Sequence, residues 1–595
     1  MIVRMKKISL LCLDSTRLET LETLRSLGVL HLAHVRPPVG ADLDQAKERL
    51  RRIERALELL PKKNATAPVG FSAAEALERF WTLTGRLKEL NRTRENLTKE
   101  IRRIEPFGAF DPEQVRKLAE KGVVVKLYQA PQKSAPEVGD DLVCETLHQD
   151  KNNVAFVVFG RKEFQIAATE VKLPERPLRQ LRAEAAACET EIRDVEKRLA
   201  DLAGARSAIA KIALAAEDEV HFFEAKNGMG TAAKLAYLQG FCPVHTVESI
   251  RRAAGERGWG LLIEEPNAEE NVPTLIRNPK WVEPIRTVFD LIGILPGYRE
   301  IDISASFMFF LSIFFAILVG DAGYGALFLI LTGLIRSKLP QAPIQPFALV
   351  TTMSVATIVW GVLTGTYFGM EAEQLPPLLS QLRVEWLTQR DNLMFLCFLI
   401  GAVHLTVAHA WNAIRMCNSL QIFAQLGWIA VTWTMFFTAR TMVLGEDFPQ
   451  FMFPTFAGGV LLVVLFMTPL RGLRNEWFNH VMLPLTLVGN FVDIVSYLRL
   501  FAVGSASFAV AAAFNSMILG SITSPWAWPL AVVLLLLGHT LNIMLAGMGV
   551  LVHGVRLNTL EFSSHIGMQW TGNPYRPFTS KTTAAVAESA KDERR

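Results

Sequence analysis

Val495-Ser496-Tyr497-Leu498-Arg499-Leu500-Phe501-Ala502-Val503-Gly504 places an arginine inside an apolar run long enough to cross a bilayer. A second arginine, Arg556, closes the next such run in Val552-His553-Gly554-Val555-Arg556-Leu557. A guanidinium keeps its proton because its pKa stays above about 12. Seating one at mid-helix costs about 2.5–3.5 kcal/mol on insertion scales. The pair is therefore expected to face a protein partner, a water-filled path or an anionic group rather than lipid. Arg556, nearer a helix end, could also snorkel to headgroups.

Working outward, the 595-residue chain is 50% hydrophobic with a mean hydropathy of +0.24. The apolar excess is concentrated in residues 301–570, while residues 1–300 are charge-rich. This asymmetry predicts a cytosolic domain joined to a membrane domain. A hydrocarbon core of about 30 Å needs about 20 apolar residues per helix. Eight stretches are candidates: 304–320, 322–336, 346–368, 393–414, 421–440, 451–469, 481–518 and 527–555. The seventh is too long for one perpendicular crossing and must tilt or extend beyond the bilayer. Arg336, Lys338, Arg415, Arg471 and Arg474 follow even-numbered stretches, whereas Glu371, Glu373, Glu446 and Asp447 follow odd ones. The positive-inside rule then puts both termini in the cytoplasm.

The net charge of +4 makes no case for nucleic acid binding. Cys12, Cys144, Cys188, Cys242, Cys397 and Cys417 are scattered without a CxxC pair, which reads as free thiols rather than disulfides or metal ligands. Asp14 ends the first apolar run too early for a signal peptide, so that run reads as a strand.

The soluble half opens as strand, helix and strand. Asp14 and Ser15 are the expected helix caps, Gly28 the stop, and Val29-Leu30-His31-Leu32 the second strand. Phe80, Leu83, Leu87, Leu90, Leu97, Ile101 and Ile104 form one heptad seam, with Arg94 its polar position. Leu178, Leu181, Ala185, Cys188, Ile192, Val195, Leu199, Leu202 and Ile209 form a second, interrupted by Arg206. Two such seams predict an antiparallel coiled-coil arm; a compact helical domain without an arm is the alternative. Pro106, Pro174 and Pro177 bound the seams, and residues 123–127 and 153–159 between them read as strands. The expected layout is a proximal lobe (1–40 and 218–265), an arm (42–105 and 175–215), a distal α/β lobe (106–172), a linker (266–300), the membrane domain (301–570) and a polar tail (571–595). The proximal lobe would include a strand at Ala236-Tyr237-Leu238-Gln239-Gly240-Phe241. The fold class is thus an α-helical membrane protein with eight transmembrane helices and an N-terminal cytosolic α/β domain carrying a coiled-coil arm. No GxxxxGK loop, HExxH or GxSxG occurs, so no catalytic residue, cofactor or metal is expected.

Several motifs resemble, in order, those of the membrane stator subunit of V-type and A-type rotary ATPases, called subunit I in prokaryotes and subunit a in eukaryotes. They are Asn271-Val272-Pro273-Thr274-Leu275 with Asn278-Pro279; Gly320-Asp321-Ala322-Gly323-Tyr324-Gly325; Gly365-Thr366-Tyr367-Phe368-Gly369; Asp493 through Gly504; and His553-Gly554-Val555-Arg556-Leu557 with Glu561-Phe562. The chain departs from the family pattern at Gly504-Ser505-Ala506, at Ala546 and at Asp302-Ile303-Ser304.

The resemblance implies a non-catalytic subunit carrying two aqueous half-channels, with Arg499 and Arg556 standing between them and facing a rotating proteolipid c-ring. Candidate half-channel residues are Asp493, Ser505, Ser507, Asn515, His539, Asn542, His553 and Glu561, since intramembrane polar groups are functional candidates by default. Asp493 could equally be an interhelical hydrogen-bond partner. Asp321, flanked by glycines at a turn, is expected to cap a helix hairpin. The implied partners are the c-ring, peripheral stalk subunits, the other V/A-ATPase subunits including the central rotor, and the lipid bilayer. The implied location is a prokaryotic plasma membrane, and the implied cargo is H⁺ or Na⁺. A secondary transporter with a cytosolic regulatory domain is the alternative, and it would leave the arm unexplained.

Overall fold

The computed structural model describes residues 1–61, 72–132, 141–150, 152–370, 376–468, 473–520 and 525–580, apart from the side chains of 378, 473–476 and 525. The charges expected in loops at 371, 373 and 471, and the Arg474 side chain, lie outside the described residues. Contacts divide the chain into two compact units: residues 1–8, 241–248 and 263–576, and residues 9–240, 249–262 and 577–595.

Strand β1 (Met5–Leu13) turns Met5, Ile8, Leu10 and Cys12 inward. It is followed by α1 (Arg17–Leu27), which Gly28 ends at φ +62°, a conformation that favours glycine. Asp14 and Ser15 do not cap this helix. They occupy a 3₁₀ turn because the strand continues through Leu13, with the Asp14 N–H donating to the Lys234 carbonyl. Asp14 instead meets Arg17 at 3.6 Å. Strands β2 (His31–Ala33), β7 (Gly230–Ala232), β8 (Leu235–Pro243) and β9 (Gly260–Glu264) complete a sheet of order β2-β8-β1-β9, with β7 on β8. Helix α7 (Val247–Arg257) precedes β9.

Four helices build the elongated part of the second unit: α2 (Ala41–Leu59), α3 (Ala73–Ile104), α5 (Leu178–Asp201) and α6 (Arg206–Gly228). Helix α3 starts in a Ser72/Glu75 capping box. It runs antiparallel to α5: Glu105 meets Arg182, the Leu90 carbonyl meets Cys188 Sγ, and Arg86 meets Glu191. Leu90, Leu97, Cys188, Ile192 and Val195 are buried along the seam, each apolar side chain contributing about 1.5–3 kcal/mol over exposure. Arg94 is exposed. Arg206 caps α2 instead of breaking the seam, its guanidinium donating to the Leu57 and Leu60 carbonyls. Those carbonyls would otherwise lack partners at the helix end.

At the far end of α3 and α5, helix α4 (Pro112–Glu120) and strands β3 (Val124–Pro131), β4 (Val143–Gln149), β5 (Asn153–Gly160) and β6 (Thr169–Val171) form a sheet of order β4-β5-β3-β6, with antiparallel pairings throughout. Val125 and Leu127 face Ile104, Phe107 and Leu178, while Tyr128 and Ala130 face Phe156 and Val158.

In the first unit, β10 (Pro273–Thr274) and α8 (Arg286–Ile292) lead to the apolar helices. These are α9 (Ser304–Val319), α10 (Ala322–Lys338), α11 (Ile344–Thr364), two short turns α12 (Pro377–Ser380) and α13 (Glu385–Thr388), then α14 (Arg390–Arg415), α15 (Gln421–Leu444), α16 (Met452–Phe466), α17 (Leu473–Ser496), α18 (Leu498–Leu519), α19 (Trp528–Gly549) and α20 (Ser563–Ile566). By length and hydropathy, α11, α14, α15, the 43-residue stretch Trp477–Leu519 and the 39-residue stretch Trp528–Ile566 can each cross a bilayer. The remaining three candidates fall short singly. Helices α9 and α10 have 16 and 17 residues and are bent by 119° at Gly320, and α16 has 15. Among the described residues, five stretches, or six with α9 and α10 taken as one, are thus long and apolar enough to cross a bilayer, and the expected eight are not confirmed.

Asp321 caps α10. Its Oδ1 accepts from the Gly323 and Tyr324 N–H groups, and its Oδ2 accepts from that of Gly369. Gly361 allows α11 to press on this corner, since a Cβ there would lie 2.1 Å from the Ala322 nitrogen. Two further boundaries differ from the sequence reading. The seventh stretch is two helices, parted at Tyr497, where i→i+3 hydrogen bonds (Tyr497 N–H to Ile494, Leu500 N–H to Tyr497) replace the α pattern. The eighth stretch does not end at 555. It continues through π-turns at Val550–Gly554 and Leu557–Phe562 to Ile566, so Arg556 lies inside it. After α20 the chain returns to β10: strand β11 (Asn573–Pro574) pairs with it in parallel. The Gly572 N–H bonds the Leu295 carbonyl and the Tyr575 N–H bonds the Thr274 carbonyl. These residues, expected as polar tail, are thus ordered; 581–595 lie outside the described residues.

Candidate functional site

Tyr497 positions the first arginine. Its side chain is fully buried, and its hydroxyl lies 2.8 Å from His404 Nδ1. The His404 ring is stacked between Phe310 and Phe562. The break at Tyr497 is therefore pinned, and Arg499 emerges as the second residue of α18. Five residues further on, Gly504 lets α18 touch α9: a Cβ there would stand 2.5 Å from the Ile317 carbonyl oxygen.

Arg556 sits between the two π-turns. In an α-helix, residues five apart point about 140° away from each other; a π-turn closes i→i+5 and brings them to one face. That geometry sets Glu561 beneath Arg556, with Oε1 3.5 Å from Arg556 Nε and 3.3 Å from Arg499 Nη1. The Glu561 side chain is 5% exposed, against 32% for Arg499 and 49% for Arg556. One interior carboxylate thus holds two outward-reaching guanidiniums. His553 lies three residues before Arg556, and its buried Nδ1 has no hydrogen-bond partner.

Asp493 belongs to a different group. Its Oδ2 is 3.0 Å from His565 Nε2; His565 Nδ1 is 3.0 Å from His409 Nε2; His409 Nδ1 is 2.9 Å from Gln425 Oε1. Asn412 donates to the His565 carbonyl. This is a continuous line of imidazole, carboxylate and amide groups. Among the described residues no cluster of His, Cys, Asp or Glu could hold a metal ion.

A third group gathers around Tyr324. Its hydroxyl is 2.7 Å from His539 Nδ1 and accepts from Asn542 Nδ2 at 3.1 Å. His539 Nε2 is 3.1 Å from Asn515 Oδ1, and Asn515 donates to the Phe368 carbonyl. Ser507 donates to Asn542 Oδ1 and accepts a return bond at its carbonyl. Ser505 stands apart, on the wall of a cavity of about 670 Å³ with Arg383, Arg390, Thr364 and Cys397.

Along the helices the three groups lie at different heights, the nearest outer member, Ser507, standing eight residues past Arg499, about 12 Å at 1.5 Å per residue. Asn515 is sixteen residues past Arg499 and His539 seventeen before Arg556, about 24–26 Å at 1.5 Å per residue. Asp493 and His565 lie on the other side of the arginines, six and nine residues away, about 9–14 Å. The structure thus joins Arg499, Arg556 and Glu561, joins Ser507, Asn515, His539 and Asn542, and places Asp493 elsewhere. Sequence reading missed Tyr324, His409, Gln425 and Asn412 as members. The signal was present for His409, an ionisable group within an apolar helix; for Tyr324 only the fold reveals what its hydroxyl meets.

No family model matches the chain. Among curated proteins it is similar to V-type ATP synthase subunit I 1 of Treponema pallidum, at 30% identity over 98% of this chain and 100% of that protein. V-type ATP synthase subunit I of Borreliella burgdorferi is 29% identical over 97% and 99% of the two chains. A-type ATP synthase subunit I of Methanocaldococcus jannaschii is 22% identical over 61% and 58%. Among solved structures, the cytoplasmic N-terminal domain of subunit I, homolog of subunit a, of V-ATPase aligns with 43% of this chain and 99% of that one, at 18% identity and a TM-score of 0.22.

Proposed function

The chain belongs to the subunit I family of V-type and A-type ATP synthases, and we propose that it is the static membrane subunit of such a rotary complex, moving ions without hydrolysing ATP itself. In this reading Arg499 and Arg556 face the carboxylates of a proteolipid c-ring. The Tyr324–His539–Asn515–Asn542–Ser507 group borders a half-channel on the outer side, and the Asp493–His565–His409–Gln425 group borders one on the cytoplasmic side. Glu561, His553 and Ser505 lie between or beside them. Eight crossings fit this reading if α9 and α10 form a hairpin and α16 spans a locally thinned bilayer. Both termini are then cytoplasmic, in a prokaryotic plasma membrane. The α3/α5 pair and its terminal sheet would grip peripheral stalks.

The observation that supports this most is that, along the seventh and eighth apolar stretches, the two arginines come between residues of two separate polar groups. A permanent cation there attracts a deprotonated ring carboxylate, which promotes ion release, and it repels free cations that would otherwise leak from one group to the other. Asp493, His565 and His409 stand within hydrogen-bond reach of one another in turn, so the inner group offers a hydrogen-bonded line suited to H⁺ transfer.

ATP-driven ion uptake into vesicles, comparing wild type with Arg499→Ala in complexes shown to be assembled, tests the proposal. Loss of uptake with assembly retained is expected. Near-normal uptake would defeat the reading.

A further inference from the structure

Glu561 makes no bond to either polar group. Its carboxylate meets the two arginines, both on one oxygen; Oε2 is buried and has no hydrogen-bond partner. A half-channel residue should meet water, but this side chain is 5% exposed while the arginines it holds reach outward. The helix also abandons α geometry over Leu557–Phe562, and without that turn Glu561 would point away from Arg556. The local backbone is therefore shaped to put a negative charge behind two positive ones.

We propose that Glu561 is an internal counterion that sets how strongly the arginine pair holds each passing ring carboxylate. This rests on the stator reading above. Two arginines and one glutamate carry a net charge of +1. That is enough to attract an arriving carboxylate, and half of what the bare pair would offer. A ring site must leave as readily as it arrives, so a doubled charge in a low-dielectric setting would trap it. Each guanidinium has five N–H donors. Contact with Glu561 leaves most of them free for the ring carboxylate, and Oε2 stands ready to take back a donor when that carboxylate departs. The step is an exchange of hydrogen-bond partners and transfers no proton to or from Glu561. His553, on the same face as Arg556, is the nearest further titratable group on that helix; Asp493 and His565 are occupied with each other.

The test compares ATP-driven uptake by complete complexes, with assembly checked on native gels, for wild type, Glu561→Gln, Arg556→Gln and the double variant. Glu561→Gln raises the cluster to +2 and should lower uptake at least tenfold. Arg556→Gln takes it to zero and should also be impaired. The double variant returns it to +1 and should transport at least threefold faster than either single change. A merely structural glutamate, or one that carries the proton, predicts a double variant no better than Glu561→Gln, and that result would overturn the counterion role. Glu561→Asp keeps the charge and should stay within about threefold of wild type; an assembled but inactive Glu561→Asp complex would overturn it as well. Normal uptake by Arg499→Ala would sink the stator reading itself, whereas an inactive Arg499→Ala complex with no rescue in the double variant would sink only the counterion.

Discussion

Gly504→Ala tests whether the close approach of α18 to α9 holds Arg499 in place. The added Cβ would meet the Ile317 carbonyl oxygen at 2.5 Å, whereas ordinary contact begins near 3.4 Å. The helices must part by about 0.9 Å to restore van der Waals distance. Over-packing of this kind costs about 1–3 kcal/mol, and the better helix propensity of alanine recovers about 1 kcal/mol at most. A displacement near 1 Å in a positioned charge can cost about a hundredfold in rate. Arg499 is five residues from the clash and takes only part of the shift, so an uptake loss of about tenfold is expected. The matched control is Gly333→Ala in α10, where an added Cβ meets nothing within 4 Å. Both variants would be assayed for ATP-driven uptake and for the temperature at which the detergent-solubilised complex dissociates. Gly504→Ala should lower both, and Gly333→Ala neither. If Gly504→Ala matched wild type on both measures, the claim that this backbone contact positions the arginine would fail.

Tyr324→Phe leaves His539 and Asn542 each short of a buried partner, a cost of about 1–3 kcal/mol; slower uptake in an assembled complex is expected, and an unchanged rate would remove Tyr324 from the path. Asp42, bonded by Lys226 and then Asn227, is held down at about 2. A depressed carboxylate stabilises the fold above its ordinary value near 3.9 and loses that contribution as pH falls toward 2. The protection of α2 amides from hydrogen exchange, taken relative to their intrinsic exchange rates at each pH, should therefore fall as pH drops below about 4, and less so in Asp42→Asn, whose wild-type-like acid response would exclude this residue as the cause. Burial pushes the Cys242 thiol up to about 11, so a maleimide at pH 7.5 should pass it by while labelling the exposed Cys417. In a Cys144→Ser background, a membrane-impermeant reagent should reach Cys417 in inverted vesicles but not in intact cells; labelling in intact cells would reverse the proposed orientation.

Much of the helical framework was legible because its causes are local. Gly28 announces a stop through its freedom at positive φ, and the seam from Phe80 to Ile104 announces α3 through its spacing. Asp321 between glycines reads correctly as a cap. What stayed hidden depends on tertiary geometry. Arg206 looks like a flaw in a seam until the unpaired carbonyls of Leu57 and Leu60 are seen opposite it. The break at Tyr497 follows from its buried bond to His404, 93 residues away. The π-turns have no periodic signature in the sequence, so the eighth stretch reads as ending at 555, eleven residues short of Ile566. The arginines themselves were plain from hydropathy alone. That Asp493 serves a different group from Glu561 could only be learned from how α14, α15, α17 and α20 meet.

The pairing of β10 with β11 also bears on how the protein is made. Pro273 and Asn573 are neighbours in space but 300 residues apart in the chain. A ribosome releases the first partner long before the second exists, and every apolar helix of the unit must be threaded in between. Closing so long a loop costs entropy that only the inserted helices can offset. This short parallel bridge is thus a late event in biogenesis, a latch that can click shut only after the last helix has been laid down. A protease site placed beside Thr274 would report it directly: open to cleavage on nascent or stalled chains, and shielded once insertion is complete.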